Sequence, residues 1–199
     1  MSTADDTPVT LSADQGRALL RLARATLSEK LGRPLPSAEL EALRHHLEDP
    51  ALDALAGTFV TLKLRNCLRG CIGCLHPVEP IRAGVRSNAL NAGFHDPRFS
   101  SLTLRELDQV HIEVSVLSAP RPLEHTGAED LIAKLEPHVH GVILRKGHAS
   151  ATFLPQVWEQ LPAPEEFLNH LCRKAGLPPD EWKRSRMEVA TYRVQSFEE

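Results

Sequence analysis

The chain has 199 residues, 42% of them hydrophobic and 25% charged, with a formal charge of −3. That size fits one domain or two closely joined lobes, and the charge balance gives no basic footprint for nucleic acid or an anionic membrane. No apolar run approaches the ~20 residues of a membrane span, and the polar, acidic start lacks the basic and apolar regions of a secretory signal. The chain is expected in the cytoplasm, with residues 1–10 as a flexible tail ahead of a single two-lobed domain over 11–197.

Ser12 and Gln15 have capping-box spacing, and Leu20, Ala23, Leu27 and Leu31 repeat at helical intervals until Gly32. A second helix is expected from Ser37, with Leu40, Leu43 and Leu47 inward, stopping before Pro50. Phe59 to Leu64 alternates as a strand, with Val60, Leu62 and Leu64 on one face. It leads into Leu68-Arg69-Gly70-Cys71-Ile72-Gly73, expected as a glycine-bounded turn that presents Cys71. Pro80 suits the first position of a helix whose buried stripe is Ile81, Val85, Ala89 and Ala92, with Gly93 as C-cap. His95 to Phe99 is a turn, since the residue before a proline is steered from the α region.

Val110 to Leu117 is the clearest strand, with Ile112, Val114 and Val116 on one face and His111, Glu113 and Ser115 on the other. A hairpin is expected from Val139 to Leu154, turning at Lys146-Gly147-His148. Pro164 opens a helix with Phe167, Leu168, Leu171, Cys172 and Ala175 on one side, closed by Gly176 and Pro178, and a last strand runs from Glu188 to Val194. Hairpin-joined strands interrupted by helices predict an α+β fold with a mainly antiparallel sheet flanked by helices.

Three of the four cysteines, Cys67, Cys71 and Cys74, fall within eight positions. A disulfide framework would spread its cysteines to close long loops, so this cluster reads as free thiols, a redox pair or a metal site. Cys67-x3-Cys71-x2-Cys74 has the spacing by which radical-SAM proteins hold a four-iron cluster. Against that, the chain is short for their barrel, shows no repeated βα units, and has Gly73 where an aromatic residue often precedes the third cysteine. Zinc could use Cys71 and Cys74 with His76, or with His138 and His140, but a second clean ligand pair is missing. No iron–sulfur cluster, zinc or other cofactor is therefore expected.

The candidate site centres on Cys71. Arg69 would share its face if the chain stays extended, and a nearby cation favours a thiolate. Glu113 and His140 are the polar partners, the histidine as a candidate base near neutral pH. Gly70 and Gly73 allow close approach of a ligand, Arg98 could hold an anion through its planar fork or form a surface salt bridge, and Ser115 lies on the strand face of Glu113. Cys172 reads as structural. His45 and His46 suit the C-terminal dipole of their helix.

Leu68-Arg69-Gly70-Cys71-Ile72-Gly73 matches the hallmark of the AMMECR domain family, whose bacterial members are called AmmeMemoRadiSam system protein A. Asp96-Pro97-Arg98-Phe99, Ile112-Glu113-Val114-Ser115-Val116-Leu117 and His140-Gly141-Val142-Ile143 resemble further family motifs. Leu154-Pro155-Gln156-Val157 and Cys172-Arg173-Lys174-Ala175-Gly176-Leu177 extend the likeness, in the family's order, over about Leu11 to Phe197. The resemblance implies a two-lobed α+β fold with the glycine-cysteine turn beside a cleft. Bacterial genes of the family tend to neighbour those of a Memo-type metal-dependent dioxygenase-like protein and a radical-SAM protein, which implies a shared pathway. The sequence departs from the family by adding Cys67 and Cys74, and by Ser100-Ser101 where prolines are common. Three functions stay open: a cysteine enzyme acting on a small-molecule or peptide ligand, a binding subunit whose turn docks a partner protein or peptide, and a cysteine-cluster metal or redox protein.

Overall fold

A computed structural model describes residues 10–199, so the expected tail, but for Thr10, lies outside the described residues. The chain forms two units: one runs to Ala119 and takes back Gln195–Glu199, and the other is Pro120–Val194. No helix among the described residues is long and apolar enough to cross a membrane.

The first unit opens with α1 (Ala13–Lys30), capped reciprocally as its sequence predicts. The Ser12 hydroxyl accepts the Gln15 N–H, and the Gln15 side chain accepts the Ser12 N–H. Leu20, Ala23 and Leu27 are buried, and Gly32 at φ +78° follows the helix end. In α2 (Ser37–Leu47) only Leu43 of the three expected leucines is fully buried. β1 (Gly57–Leu64) and β2 (Cys67–Cys74) form a hairpin whose tip, Arg65 and Asn66, has φ of 52° and 62°, the backbone of a type I′ turn. α3 (Ile81–Phe94) buries the expected Ile81, Val85, Ala89 and Ala92, with Pro80 as its cap rather than its first residue. α4 (Leu104–Leu107) leads into β3 (Val110–Leu117), which pairs antiparallel with β1. Val60, Leu62, Ile112, Val114 and Val116 pack with the apolar stripes of α1 and α3 in one core.

The second unit contains β4 (Arg121–Pro122), α5 (Ala128–Lys134), β5 (Gly141–Lys146), β6 (Ala149–Phe153), α6 (Pro164–Lys174), α7 (Glu181–Arg184) and β7 (Glu188–Tyr192). Its sheet has the order β4-β7-β5-β6, and the β5–β6 hairpin turns at Gly147 with φ +57°, where the sequence places it. Trp158 stacks on Phe167 at 3.7 Å in its core, beside a fully buried Cys172 whose thiol pKa burial pushes up.

One expectation is corrected here. The strand predicted from Glu188 to Val194 is β7 and ends at Tyr192: the chain then leaves the second sheet, and a further strand, β8 (Val194–Glu198), completes the first sheet in the order β2-β1-β3-β8. The fold is α+β, built on two four-stranded sheets rather than one.

Candidate functional site

The run Leu68 to Gly73 is not a turn. It lies inside β2, the outermost strand of its sheet. Neither Gly70 nor Gly73 has positive φ, and the reason for glycine is space. A Cβ on Gly70 would lie 2.2 Å from the Ala92 carbonyl oxygen of α3, so only a hydrogen lets helix and strand meet. On Gly73 it would lie 2.2 Å from the Phe59 ring and 2.4 Å from the Thr58 oxygen. The close approach expected of a ligand at these glycines is made by the protein itself.

Cys71 stands opposite Thr61 of β1, partly exposed, and the Thr61 hydroxyl donates to its Sγ at 3.3 Å. Its backbone is gripped from the open edge of the sheet. The Cys71 N–H donates to Asp96 Oδ2 at 2.9 Å, and Arg98 Nη2 donates to the Cys71 carbonyl at 3.1 Å. The Asp96 side chain is only 1% exposed. It also accepts from the Arg98 N–H at 3.1 Å, Nε at 2.9 Å and Nη2 at 2.7 Å. These bonds, those from the Arg98 side chain foremost, hold its carboxyl far below the usual carboxylate range. The anion that Arg98 holds is thus Asp96, and the pair caps the strand edge at Cys71.

Arg69 departs from its expected position. Leu62 pairs with Gly70 and Lys63 with Leu68, so Arg69 is the extra residue of a β-bulge. The alternation that would have put it on the face of Cys71 is broken there. Its buried guanidinium forks onto Glu106, Nε to Oε1 at 2.8 Å and Nη2 to Oε2 at 3.1 Å. Glu106 also accepts from the Thr103 N–H and hydroxyl in the capping box of α4. Hydrogen bonding to Arg69, then to Thr103, holds the Glu106 pKa down to about 2. Arg69 Nη1 is buried without a hydrogen-bond partner.

Glu113 lies opposite Thr61 on the other side of β1, so Cys71, Thr61 and Glu113 form a row across three strands. The Glu113 side chain is 14% exposed and accepts from Lys63 Nζ at 2.8 Å. Ser115 sits one step along, opposite Phe59, buried and with its Oγ 3.0 Å from Ser196 Oγ. His140 belongs to the second unit, where its Nδ1 accepts the Glu136 N–H at 3.1 Å and burial lowers its pKa. That nitrogen is occupied, so the ring is not a free base there.

Cys71 opposes Thr61 and Cys74 opposes Thr58; three residues apart on a strand, the two thiols point to opposite faces. All four cysteines are free, and among the described residues no group of three or more His, Cys, Asp or Glu is arranged to hold a metal.

Sequence reasoning gave no site role to Thr61, Lys63, Asp96 or Glu106. Two of them carried a signal. Thr103-x-x-Glu106 is a capping box ahead of an apolar residue, and Asp96 stands two positions from an arginine in a proline turn. Thr61 and Lys63 become partners only through strand register, which no local pattern encodes.

The AMMECR1 family model matches residues 20–197. Protein MK0488 of Methanopyrus kandleri is 37% identical over 200 residues, covering 95% of this chain and 90% of that protein. Protein NEQ441 of Nanoarchaeum equitans is 38% identical over 179 residues, 85% of this chain and 97% of its own. The crystal structure of uncharacterized protein PH0010 from Pyrococcus horikoshii is similar with a TM-score of 0.78 at 34% identity, over 95% of this chain and 93% of that one. With sequence and fold agreeing over nearly the same span, the chain belongs to the AMMECR1 family.

Proposed function

We propose that this AMMECR1 protein is a cysteine-dependent enzyme that uses Cys71 as a nucleophile toward an electrophilic carbon of a small-molecule or peptide substrate. One observation carries the reading. The Cys71 backbone is fixed at both its N–H and its carbonyl by the Asp96–Arg98 pair, while its sulfur stays partly exposed and accepts from Thr61. A fixed backbone with a reachable sulfur is what a preorganised nucleophile requires, and the Thr61 hydroxyl donates to that sulfur and steadies its position. The thiol proton leaves to solvent, sulfur supplies the electron pair of the new C–S bond, and the leaving group departs with its own pair. Glu113 of the same row, held by Lys63 from the next same-face position of β1, is the group that handles substrate protons in this reading. Four free cysteines fit the reducing cytoplasm, where this enzyme would act. A shared pathway with a Memo-type protein and a radical-SAM protein remains part of the proposal.

The test uses competition within one strand. Cys67 is the exposed thiol and Cys71 only partly so, so accessibility alone puts Cys67 first. Brief iodoacetamide treatment at neutral pH with peptide mapping should label Cys71 first, and Thr61→Val should slow it. Labelling in order of exposure would sink the nucleophile and favour the docking-subunit reading, which the exposed Leu68 of the same edge strand supports.

A further inference from the structure

We infer that the second unit carries, within itself, a cleft that binds a small phosphorylated molecule. Two stretches, His125 to Ala128 and Trp182 to Arg186, line a cavity of about 440 Å3, within the size range of small-molecule sites. The lining contains three cations, Lys183, Arg184 and Arg186, and no carboxylate. That is a local reversal in a chain whose formal charge is −3.

The acids that pair with these cations stand outside the lining. Glu165 is 2.8 Å from Lys183 Nζ, Asp180 is 2.5 Å from Arg184 Nη2, and Glu124 is 3.9 Å from Arg186 Nη2. The last separation is too long for a hydrogen bond. All three acids are 40% or more exposed, and such surface pairs are weak because water screens them. A ligand that brings two or three negative charges into the cleft can therefore take over these cations. The arginine forks match pairs of phosphate oxygens in a way that a single carboxylate partner leaves unfilled.

The rest of the cleft is fixed. Trp182 is nearly fully buried, its indole N–H donates to Asn169 at 2.8 Å, and Lys183 Nζ lies 4.9 Å from its ring centre. On the other wall, His125 Nε2 lies 3.1 Å from the Met187 carbonyl and must donate to it. In the neutral ring Nδ1 is then an acceptor, and it is buried without a partner. The protein alone leaves that wall unsatisfied. Gly127 has extended backbone at φ 171° and open space where a Cβ would stand. The cations occupy one four-residue stretch of an acidic chain, which suits a small anion and not a nucleic-acid backbone.

Titration of the full chain with inorganic pyrophosphate at low ionic strength tests this, followed by calorimetry and by the amide signals of residues 125–128 and 182–186. Saturable one-to-one binding is expected, tighter than that of inorganic phosphate. Arg184→Ala with Arg186→Ala should weaken it by about tenfold or more, equivalent to ~1.4 kcal/mol. Gly127→Leu changes no charge and fills open space, so it should weaken binding even if the double variant fails to fold. Absence of saturation at millimolar pyrophosphate, or binding that survives Gly127→Leu in a folded protein, overturns the assignment.

Discussion

Asp96 holds Cys71 by its main chain, the buried carboxylate accepting the Cys71 N–H at 2.9 Å from a loop 25 residues further along the sequence. An edge strand presents its outer N–H groups to water, so this contact protects an amide that the sheet does not. Asp96→Ala should speed hydrogen exchange at the Cys71 amide by at least about tenfold, since that amide then opens with the frayed edge. Asp96→Asn keeps one acceptor and should fall between. NMR exchange rates that do not respond would show that β1 pairing alone fixes the strand.

Acid should destabilise the protein in two phases. His140 has its pKa lowered by burial, so the folded state refuses a proton that the unfolded chain accepts below about pH 6.5. Asp96 and Glu106 are held low by Arg98 and Arg69, so their contribution is complete above the unfolded carboxylate range near pH 4. It is lost as pH falls toward about 2 for Glu106 and lower still for Asp96. Urea midpoints should decline gently below about pH 6.5 and steeply below about pH 4. His140→Gln should remove the first phase and Glu106→Gln should shallow the second.

Arg69→Met should act on stability and not on the thiol. The substitution leaves Glu106 without its forked partner beside a buried stem, a loss of about 3 kcal/mol, at the low end for a broken buried pair because Glu106 stays reachable by water. The Cys71 alkylation rate per folded molecule should match the parent. A rate that drops with no change in the urea midpoint would restore the thiol-tuning role that the sequence suggests.

Gly70→Ala should cost about 3 kcal/mol or more by overpacking, because the new methyl would lie 2.2 Å from a helix carbonyl that cannot move independently. Thermal melts of a soluble variant would measure it. A melting temperature close to the parent's would mean that α3 shifts freely on the sheet.

The longer helices α1, α2, α3 and α6 were legible through their punctuation, such as Ser12 with Gln15 for α1 and Pro164 and Gly176 for α6. The short α4, α5 and α7, of four to seven residues, were not. β2 was not. With two glycines and three cysteines in eight residues it shows no alternation, and its extended form is imposed by β1 and by Asp96. The split at Arg193 was invisible because nothing in the sequence from Glu188 onward breaks a strand; two separate sheets claim its halves. Of the site, Cys71 and Glu113 fall in one row across the sheet, as a shared surface requires. Arg69 was misplaced by a one-residue bulge whose partner, Glu106, lies 37 positions away.

β8 also sets an order of synthesis. Its residues follow the whole of Pro120–Val194 in sequence, yet they complete the sheet that β1 and β2 began. On a ribosome, β3 emerges with a bare edge and must wait while some seventy-five residues are translated before its neighbour exists. The second sheet draws all its strands from one continuous stretch and can close first. The nascent first unit therefore carries an unpaired strand edge for the length of that delay, the interval in which misassembly is most costly.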